Sequence, residues 1–438
     1  MSKRKGMDRR DFIKASALGL AGAGAAFGAD PARAGQAAPG PAAKIQTYRT
    51  LGRTGFQASD IGIGTSQNFS VEVLRAALDA GVNYLDTGEG YGRGQAERSI
   101  GEAIKGRDRG SLFITTKFRM DGLAGAADVA AKLDQGLERL QTDYVDCLML
   151  GPQTAASVKN ETYHQAIAEL KKRGKVRFSG ASSHGPRMPG EGEPMETVLL
   201  AAVDDGRFDV LLLVYNFLQR EPGEKILEAA AKKNIATTIM KSNPVGRYYD
   251  MKSRVEQLKK DGQPVDERMQ KSLEQMEPMA KQAEEFARKN GLKTPAEIKA
   301  AALKFVLADP RVNTLNLAFN TFDDVQNLLK LSGSGMVGRE RVLLASYERD
   351  CGSLYCRHAC GLCESACPSG VPVNTIMRYN HYFEAQGSEK YALEKYAALE
   401  TARADVCRTC QGGCEQACPY GVPVRALLCL AHSQLTLV

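Results

Sequence analysis

Residues 81–104 read GVNYLDTGEGYGRGQAERSIGEAI, and their reading decides the fold. Val82–Asp86 is a short apolar run of strand character that stops on an acidic residue, with Tyr91 five positions further on. Seven comparable runs recur: Ile61–Gly64, Leu112–Lys117, Val145–Leu150, Val176–Gly180, Val210–Val214, Ala236–Met240 and Thr314–Ala318. Longer amphipathic stretches lie between them, such as VEVLRAALDAG (71–81), AAKLDQGLERL (130–140) and YHQAIAELKKRGK (163–175). Their apolar residues recur at three- and four-residue steps, as in helices. Eight strand–helix units in about 290 residues fit a closed (β/α)8 TIM-type barrel better than an open sheet. Such barrels carry their chemistry at the carboxyl ends of the strands, so Asp86, Tyr91 and Lys117 (in FITTKF, 113–118) become candidates. An unperturbed tyrosine titrates near 10 and is a poor proton donor at neutral pH. A lysine beside it makes the hydroxyl more acidic, and an aspartate can hold that lysine in place.

The chain has 438 residues, enough for a large core plus a smaller module, and 43% hydrophobic with 25% charged residues marks a globular protein. Of the formal charge of +7, residues 1–34 contribute seven Lys/Arg against three Asp/Glu, leaving about +3 for the rest. No basic stripe with interleaved aromatics is present, so no nucleic-acid partner is expected.

Residues 1–34 run from a basic stretch ending in Arg9-Arg10, through Asp11, Phe12, Ile13 and Lys14, into a run of small apolar residues. They end in Ala32-Arg33-Ala34, an A-x-A cleavage candidate. The apolar run is shorter than the roughly 20 residues that span a bilayer. This resembles a twin-arginine export signal, which implies a periplasmic protein whose mature chain has no membrane span. A plain basic terminus and an uncleaved tether are the alternatives. Residues 35–46 read as a Gly/Pro/Ala linker.

Ten of eleven cysteines lie between Cys351 and Cys429. Within that span CESACPSGVPV (363–373) returns as CEQACPYGVPV (414–424), nine of eleven letters identical. The blocks extend to Cys356-x3-Cys360-x2-Cys363-x3-Cys367-Pro and Cys407-x2-Cys410-x3-Cys414-x3-Cys418-Pro. Each differs by one inserted residue from the C-x2-C-x2-C-x3-C-P run of two-cluster ferredoxins. Eight cysteines in two blocks suit two 4Fe-4S clusters. Zinc knuckles and disulfides remain as other readings, and the trailing Cys-Pro suits neither. Cys351 and Cys429 read as spares, and Cys147 as a core residue.

Between YRTLGRTG (48–55) and residue 333 the chain resembles the aldo/keto reductases, through NYLDTGEGYGRGQAERSIGEAI (83–104), ITTKF (114–118), GKVRFSGASSH (174–184) and DVLLLVYN (209–216). The resemblance implies a bound NADP(H), hydride transfer to the carbonyl of a small organic substrate, and Tyr91 as acid supported by Lys117 and Asp86. It also implies Ser182 and Ser183 near the nicotinamide carboxamide, Tyr215 against the ring, and Ser242 to Gly246 at the phosphates. The sequence departs from the family at Gly151, where a histidine usually orients the carbonyl, and at Leu212, where a glutamine often stands. LAFNTFDDVQNLL (317–329) lacks the family's adenine-side cation; Arg247 is the nearest basic candidate. Residues 247–290 are charge-dense and read as a helical insertion over the barrel mouth. The tail resembles a helical dicluster ferredoxin domain with a helical link at 374–404.

The expected organisation is therefore a signal at 1–34, a linker at 35–46, a barrel at 47–345 and a 4Fe-4S ferredoxin-type domain at 350–438. Two functions are compatible with it. One is an exported oxidoreductase whose clusters exchange electrons with a redox partner that the sequence does not identify. The other is a non-catalytic electron-transfer protein with a degenerate barrel that has lost its nucleotide.

Overall fold

Alternation along short strands sorts side chains to two sides, and eight strands that do this together close a ring. In a computed structural model of the chain, residues 42–65, 70–120, 122–186, 192–244, 285–292, 295–386 and 388–436 are described. The first two strands, β1 (Tyr48–Thr50) and β2 (Gln57–Ser59), pair antiparallel. The barrel strands are β3 (Ile61–Gly64), β4 (Tyr84–Asp86), β5 (Phe113–Lys117), β6 (Val145–Leu150), β7 (Val176–Ser182), β8 (Val210–Val214), β9 (Ala236–Met240) and β10 (Thr314–Leu317). They close in the order β10-β3-β4-β5-β6-β7-β8-β9, with parallel neighbours throughout. The (β/α)8 expectation holds.

Tyr84, Phe113, Cys147, Met149, Val210, Leu212 and Ala236 fill the interior. Their neighbours one step along each strand, among them Leu85, Ile114, Leu148, Leu211 and Leu213, pack outward against the helices. Cys147 is fully buried there, a core side chain. A glycine sets the width of this interior. A Cβ on Gly180 would stand 2.8 Å from both Cys147 Sγ and Met149 Cγ. The β1–β2 hairpin, absent from the sequence reading because its strands are three residues each, sends Leu51 and Phe56 into the same interior cluster.

Helix Gly338–Cys351 runs across the boundary drawn from sequence at 345–350. It belongs to the barrel side: Leu343, Leu344 and Tyr347 pack on Phe217, Phe286 and Ile298, and Lys304 Nζ meets Glu340 Oε1 at 2.7 Å. The tail then builds its own core from Val371, Val373, Ile376, Met377, Tyr396, Val422, Val424, Leu427 and Leu428 around the cysteines. The helical link comprises Val373–Gln386 and Glu389–Ala397.

The repeated phrase folds the same way twice. In each copy the amide after Cys-Pro-x turns back on the carbonyl of the block's last cysteine, Gly370 N to Cys367 O and Gly421 N to Cys418 O, both 3.2 Å. Both glycines stand in the left-handed region, at φ 63° and 62°. In each copy the glutamate after the block's third cysteine caps the next helix: Glu364 Oε1 accepts from Asn374 N at 2.8 Å, and Glu415 Oε1 from Arg425 N at 2.9 Å. A carboxylate satisfies an N-terminal amide and suits the helix dipole. Among the described residues no helix is long and apolar enough to cross a membrane. The twin-arginine segment and most of the 247–290 insertion lie outside the described residues.

Candidate functional site

Two places in the structure gather chemistry: the carboxyl-end mouth of the barrel and the cysteine blocks that lie against it.

At the mouth, period-two alternation turns Asp86 at the end of β4 and Lys117 at the end of β5 inward together. Lys117 Nζ donates to Asp86 Oδ1 at 2.7 Å and to Thr87 O at 2.9 Å. It stands 5.0 Å from the centre of the Tyr91 ring. Burial opposes both charges. It lifts the Asp86 carboxyl above the usual range, and the lysine pulls it part of the way back. For Lys117 the burial cost is outweighed by Asp86 and by a hydrogen bond with Tyr91, which together push its ammonium up to about 12. The lysine therefore stays charged beside the tyrosine. Gly88 makes the approach possible, because a Cβ there would lie 2.9 Å from both Lys117 Cγ and Lys117 O. Thr116, one step back and facing outward, bonds the buried Glu97 at 2.7 Å, and Glu97 holds Arg139 at 2.6 Å, which fixes β5 against its helices.

Several polar atoms here are buried without a hydrogen-bond partner among the described residues: Asp86 Oδ2, Thr87 Oγ1 and both polar atoms of the Asn316 amide. Buried polar groups are normally satisfied, so such a set at a barrel mouth marks a place for a ligand or water. Asn316 carried no signal in the sequence; its position on the inward register of β10 reveals it.

The other expected contacts divide. Ser182 ends β7, and Ser183 is buried with its Oγ accepting from Gly185 N at 3.2 Å. Ser242 is buried just past β9; Gly246 and Arg247 lie outside the described residues. Tyr215 is not brought into the mouth. Its ring packs under Gly223 and beside Phe305 in the helical shell, and its hydroxyl donates to Asp309 at 3.2 Å. It is the next residue, Asn216, that ties the strand ends, donating to Lys241 O at 3.1 Å and accepting from Leu218 N and Gln219 N. Leu212 points into the barrel, and Gly151 is exposed with open space where its Cβ would be.

The tail covers the β7–β9 side of this mouth. Gln219 exchanges two hydrogen bonds with His358, each 3.0 Å, and Arg378 donates to Pro186 O at 2.8 Å. Across the mouth Arg93 and Glu394 pair at 3.6 Å.

One cavity in the tail is lined by Cys356, Cys360, Cys363 and Cys418, three from the first block and the last from the second. The thiols of Cys360 and Cys363 both feel Cys418. Reciprocally, Cys407 and Cys414 feel Cys367 and Cys410. Cys429, read as a spare, stands beside Cys407, whereas Cys351 is buried in the barrel-side cluster. Asn374 fixes the first block: it accepts from Ala359 N at 2.7 Å and donates to Arg357 O at 2.8 Å, with Cys356 Sγ 3.7 Å away. Among the described residues no three His, Cys, Asp or Glu side chains are arranged to hold a single metal ion. Four thiolates around one zinc converge on a point, each about 2.3 Å from it. The four here surround a cavity, which fits a cluster's separated corners better.

Comparison with known proteins matches residues 52–332 to the family model described as the aldo/keto reductase family. The chain is 31% identical over 214 residues to aldo-keto reductase YhdN of Bacillus subtilis, covering 44% of this chain and 60% of that protein. It is 32% identical over 184 residues to L-galactose dehydrogenase of Arabidopsis thaliana, covering 37% and 54% respectively. The chain thus spans less than two thirds of either relative's length. Among solved structures, an aldo/keto reductase from Klebsiella pneumoniae in complex with NADP and acetate aligns with a TM-score of 0.48 at 20% identity, over 69% of this chain and 95% of that one.

Proposed function

From a chain that belongs to the aldo/keto reductase family of oxidoreductases, we propose an exported redox enzyme in which a substrate-binding barrel works beside two 4Fe-4S clusters. The observation that carries the reading is the exchange between cysteine blocks, with Cys418 completing the cavity of Cys356, Cys360 and Cys363. Cys367 in turn lies within electrostatic reach of Cys407 and Cys414 of the second block. That exchange is how two neighbouring cubanes share ligands in two-cluster ferredoxins. NADP(H) bound in the barrel supplies a hydride, and the clusters supply single electrons. The chain's own part follows from the mouth. Tyr91 holds the proton for a developing alkoxide, Lys117 stands beside its ring as a cation, and Asp86 anchors Lys117. Ser182, Ser183 and Ser242 stand on the side where a nucleotide reaches the strand ends. Export through the twin-arginine route fits such a protein, because clusters assembled in the cytoplasm must travel in a folded chain.

A second reading, an electron-transfer protein whose barrel no longer holds nucleotide, draws support from Leu212 facing the interior and from the tail over the β7–β9 side. One analysis separates the two. Protein isolated anaerobically from the periplasm is assayed for iron, sulfide and released nucleotide. We expect about eight iron and eight sulfide per chain. Released NADP(H) supports the enzyme, whereas full clusters without nucleotide, and no NADPH binding on addition, favour the second reading. Zinc without sulfide would refute both.

A further inference from the structure

The first gap of the first cysteine block is where the tail grips the barrel. Between Cys356 and Cys360 stand Arg357, His358 and Ala359, one residue more than the matching gap of the second block, Cys407-x2-Cys410. All three are held by side-chain amides. Asn374 of the tail donates to Arg357 O at 2.8 Å and accepts from Ala359 N at 2.7 Å. Gln219 of the barrel brackets the residue between them: its Oε1 accepts from His358 N and its Nε2 donates to His358 O, each at 3.0 Å. Both polar atoms of the Gln219 amide are thus used, and only one orientation of that amide serves both groups. In the second block Arg408 and Thr409 occupy the matching gap and are exposed.

Gln219 is itself anchored at the strand ends. Its own N–H donates to Asn216 Oδ1 at 2.9 Å, Asn216 is fully buried, and the Asn216 amide donates to Lys241 O just past β9 at 3.1 Å. A second contact seats the same loop. Ala359 has φ 55°, in the left-handed region that residues with a Cβ seldom adopt, and a Cβ on Gly185, beyond β7, would stand 2.7 Å from Ala359 Cβ. Strained backbone persists only where its surroundings over-determine it. Here those surroundings are two barrel residues, Gln219 and Gly185, and one tail residue, Asn374.

We propose that Gln219 is a positioning residue for the first cluster: through this side chain the barrel fixes the loop between Cys356 and Cys360 and so sets that cluster's reduction potential apart from the second's. The proposal rests on the reading of the tail as a two-cluster module. Potentials of iron–sulfur centres follow the hydrogen bonds around their ligands and their exposure to water, and both depend on where the ligand loop is held. A slack loop would open one cavity, that of Cys356, Cys360, Cys363 and Cys418, and leave the surroundings of Cys407 and Cys410 as they are. The lengthened gap makes the first cluster the one that adjoins the strand ends.

The test uses full-length protein purified anaerobically, with iron, sulfide and zinc counted on every sample. Gln219→Met keeps the length of the side chain and removes its donor and acceptor, Gln219→Glu keeps an acceptor for the His358 amide, and the exposed Lys232→Met, at the far end of helix Glu221–Lys232, is the control. Hydrogen exchange across residues 355–362 should quicken about tenfold or more in Gln219→Met, with residues 405–412 unchanged, and most of the protection should return in Gln219→Glu. Electron paramagnetic resonance at stepped potentials then follows the two clusters. In Gln219→Met one cluster should shift about threefold or more in its reduction equilibrium, about 28 mV for one electron, while the other holds. Gly185→Ala pushes the same loop from its other contact and should move the same cluster; it carries the comparison should Gln219→Met fail to fold. The proposal is overturned if exchange at 355–362 is unchanged, or if it quickens while both potentials hold, because Gln219 is then only a brace. Equal shifts of both clusters overturn it too, as a general loosening of the tail. Zinc without sulfide overturns the two-cluster reading beneath it, and the metal count tells that failure from the others.

Discussion

Replacing Lys117 by methionine keeps the length and most of the volume of the side chain but removes the cation from a buried pair. Two structural consequences set the magnitude. Asp86, 5% exposed, loses its hydrogen bond at 2.7 Å, and Thr87 O loses a donor at 2.9 Å. The rise of the Lys117 ammonium from 10.5 to about 12 corresponds to roughly 2 kcal/mol of favourable interaction net of burial. A carbonyl left without its donor adds about 1–3 kcal/mol. Lys117→Met should therefore cost about 3–5 kcal/mol, the usual penalty for stranding one member of a buried pair. Thermal unfolding of Lys117→Met, Asp86→Asn and the double variant at pH 7 and one scan rate reads this out. The single lysine variant should melt on the order of 10 °C lower. The double variant should lose clearly less than the sum of the two singles, by about 2 kcal/mol of coupling. The pH dependence has a definite sign. In wild type the Lys117 contribution is complete below its unfolded value of 10.5 and is lost only as pH rises through about 12. In Lys117→Met the carboxyl retains its burial and loses the cation that lowered it, so it rises further. The variant's stability should then fall as pH rises above the unfolded carboxylate value and through the raised one. Additive single losses, or a lysine variant within about 0.5 kcal/mol of wild type, would show that the pair is not energetically coupled.

Other outcomes follow from the same geometry. Tyr91→Phe keeps the ring above Gly88 and removes the hydroxyl, so carbonyl turnover with NADPH should drop about 100-fold or more while iron content and melting temperature hold; unchanged turnover, also with an artificial electron acceptor, refutes the acid role. Gly151→His enters open space, so the variant should fold normally and raise activity on simple aldehydes by restoring a donor to the carbonyl; a melting temperature several degrees lower would contradict the open space. Arg9→Lys with Arg10→Lys should leave the protein in the cytoplasm with its leader uncut, as fractionation and intact mass would show. Gly88→Ala should displace Lys117, since its new Cβ meets Cγ at 2.9 Å, and should lower both stability and turnover, whereas the exposed Gly90→Ala meets nothing within 4 Å.

The barrel was legible because its information is local. Runs such as Val145–Leu150 and Val210–Val214 coincide with the strands residue for residue, and the strand-end rule placed Asp86 and Lys117 side by side. Strand ends read less well: β7 continues to Ser182, and β4 begins at Tyr84. The tail's contribution to the mouth was illegible because it depends on docking. Lys241, Arg378 and His358 are far apart in sequence and belong to no common motif; only the tail's position against β7–β9 makes them neighbours. Tyr215 shows the opposite failure. Its place beside Asn216 in a familiar phrase suggested a ring contact, but one step of strand register turns it to the outside, where Phe305 and Asp309 receive it.

The exchange between the two cysteine blocks has a consequence for synthesis. Cys418 belongs to the second block and lines the cavity of the first, while Cys367 of the first block lies within electrostatic reach of Cys407 and Cys414. A chain that stopped after the first repeat would lack Cys418, and the cavity of Cys356, Cys360 and Cys363 would have no fourth cysteine. On the proposed reading, neither cluster could then be loaded before both repeats had been made. Under the same proposal, a loaded tail would certify that both repeats are in place before export.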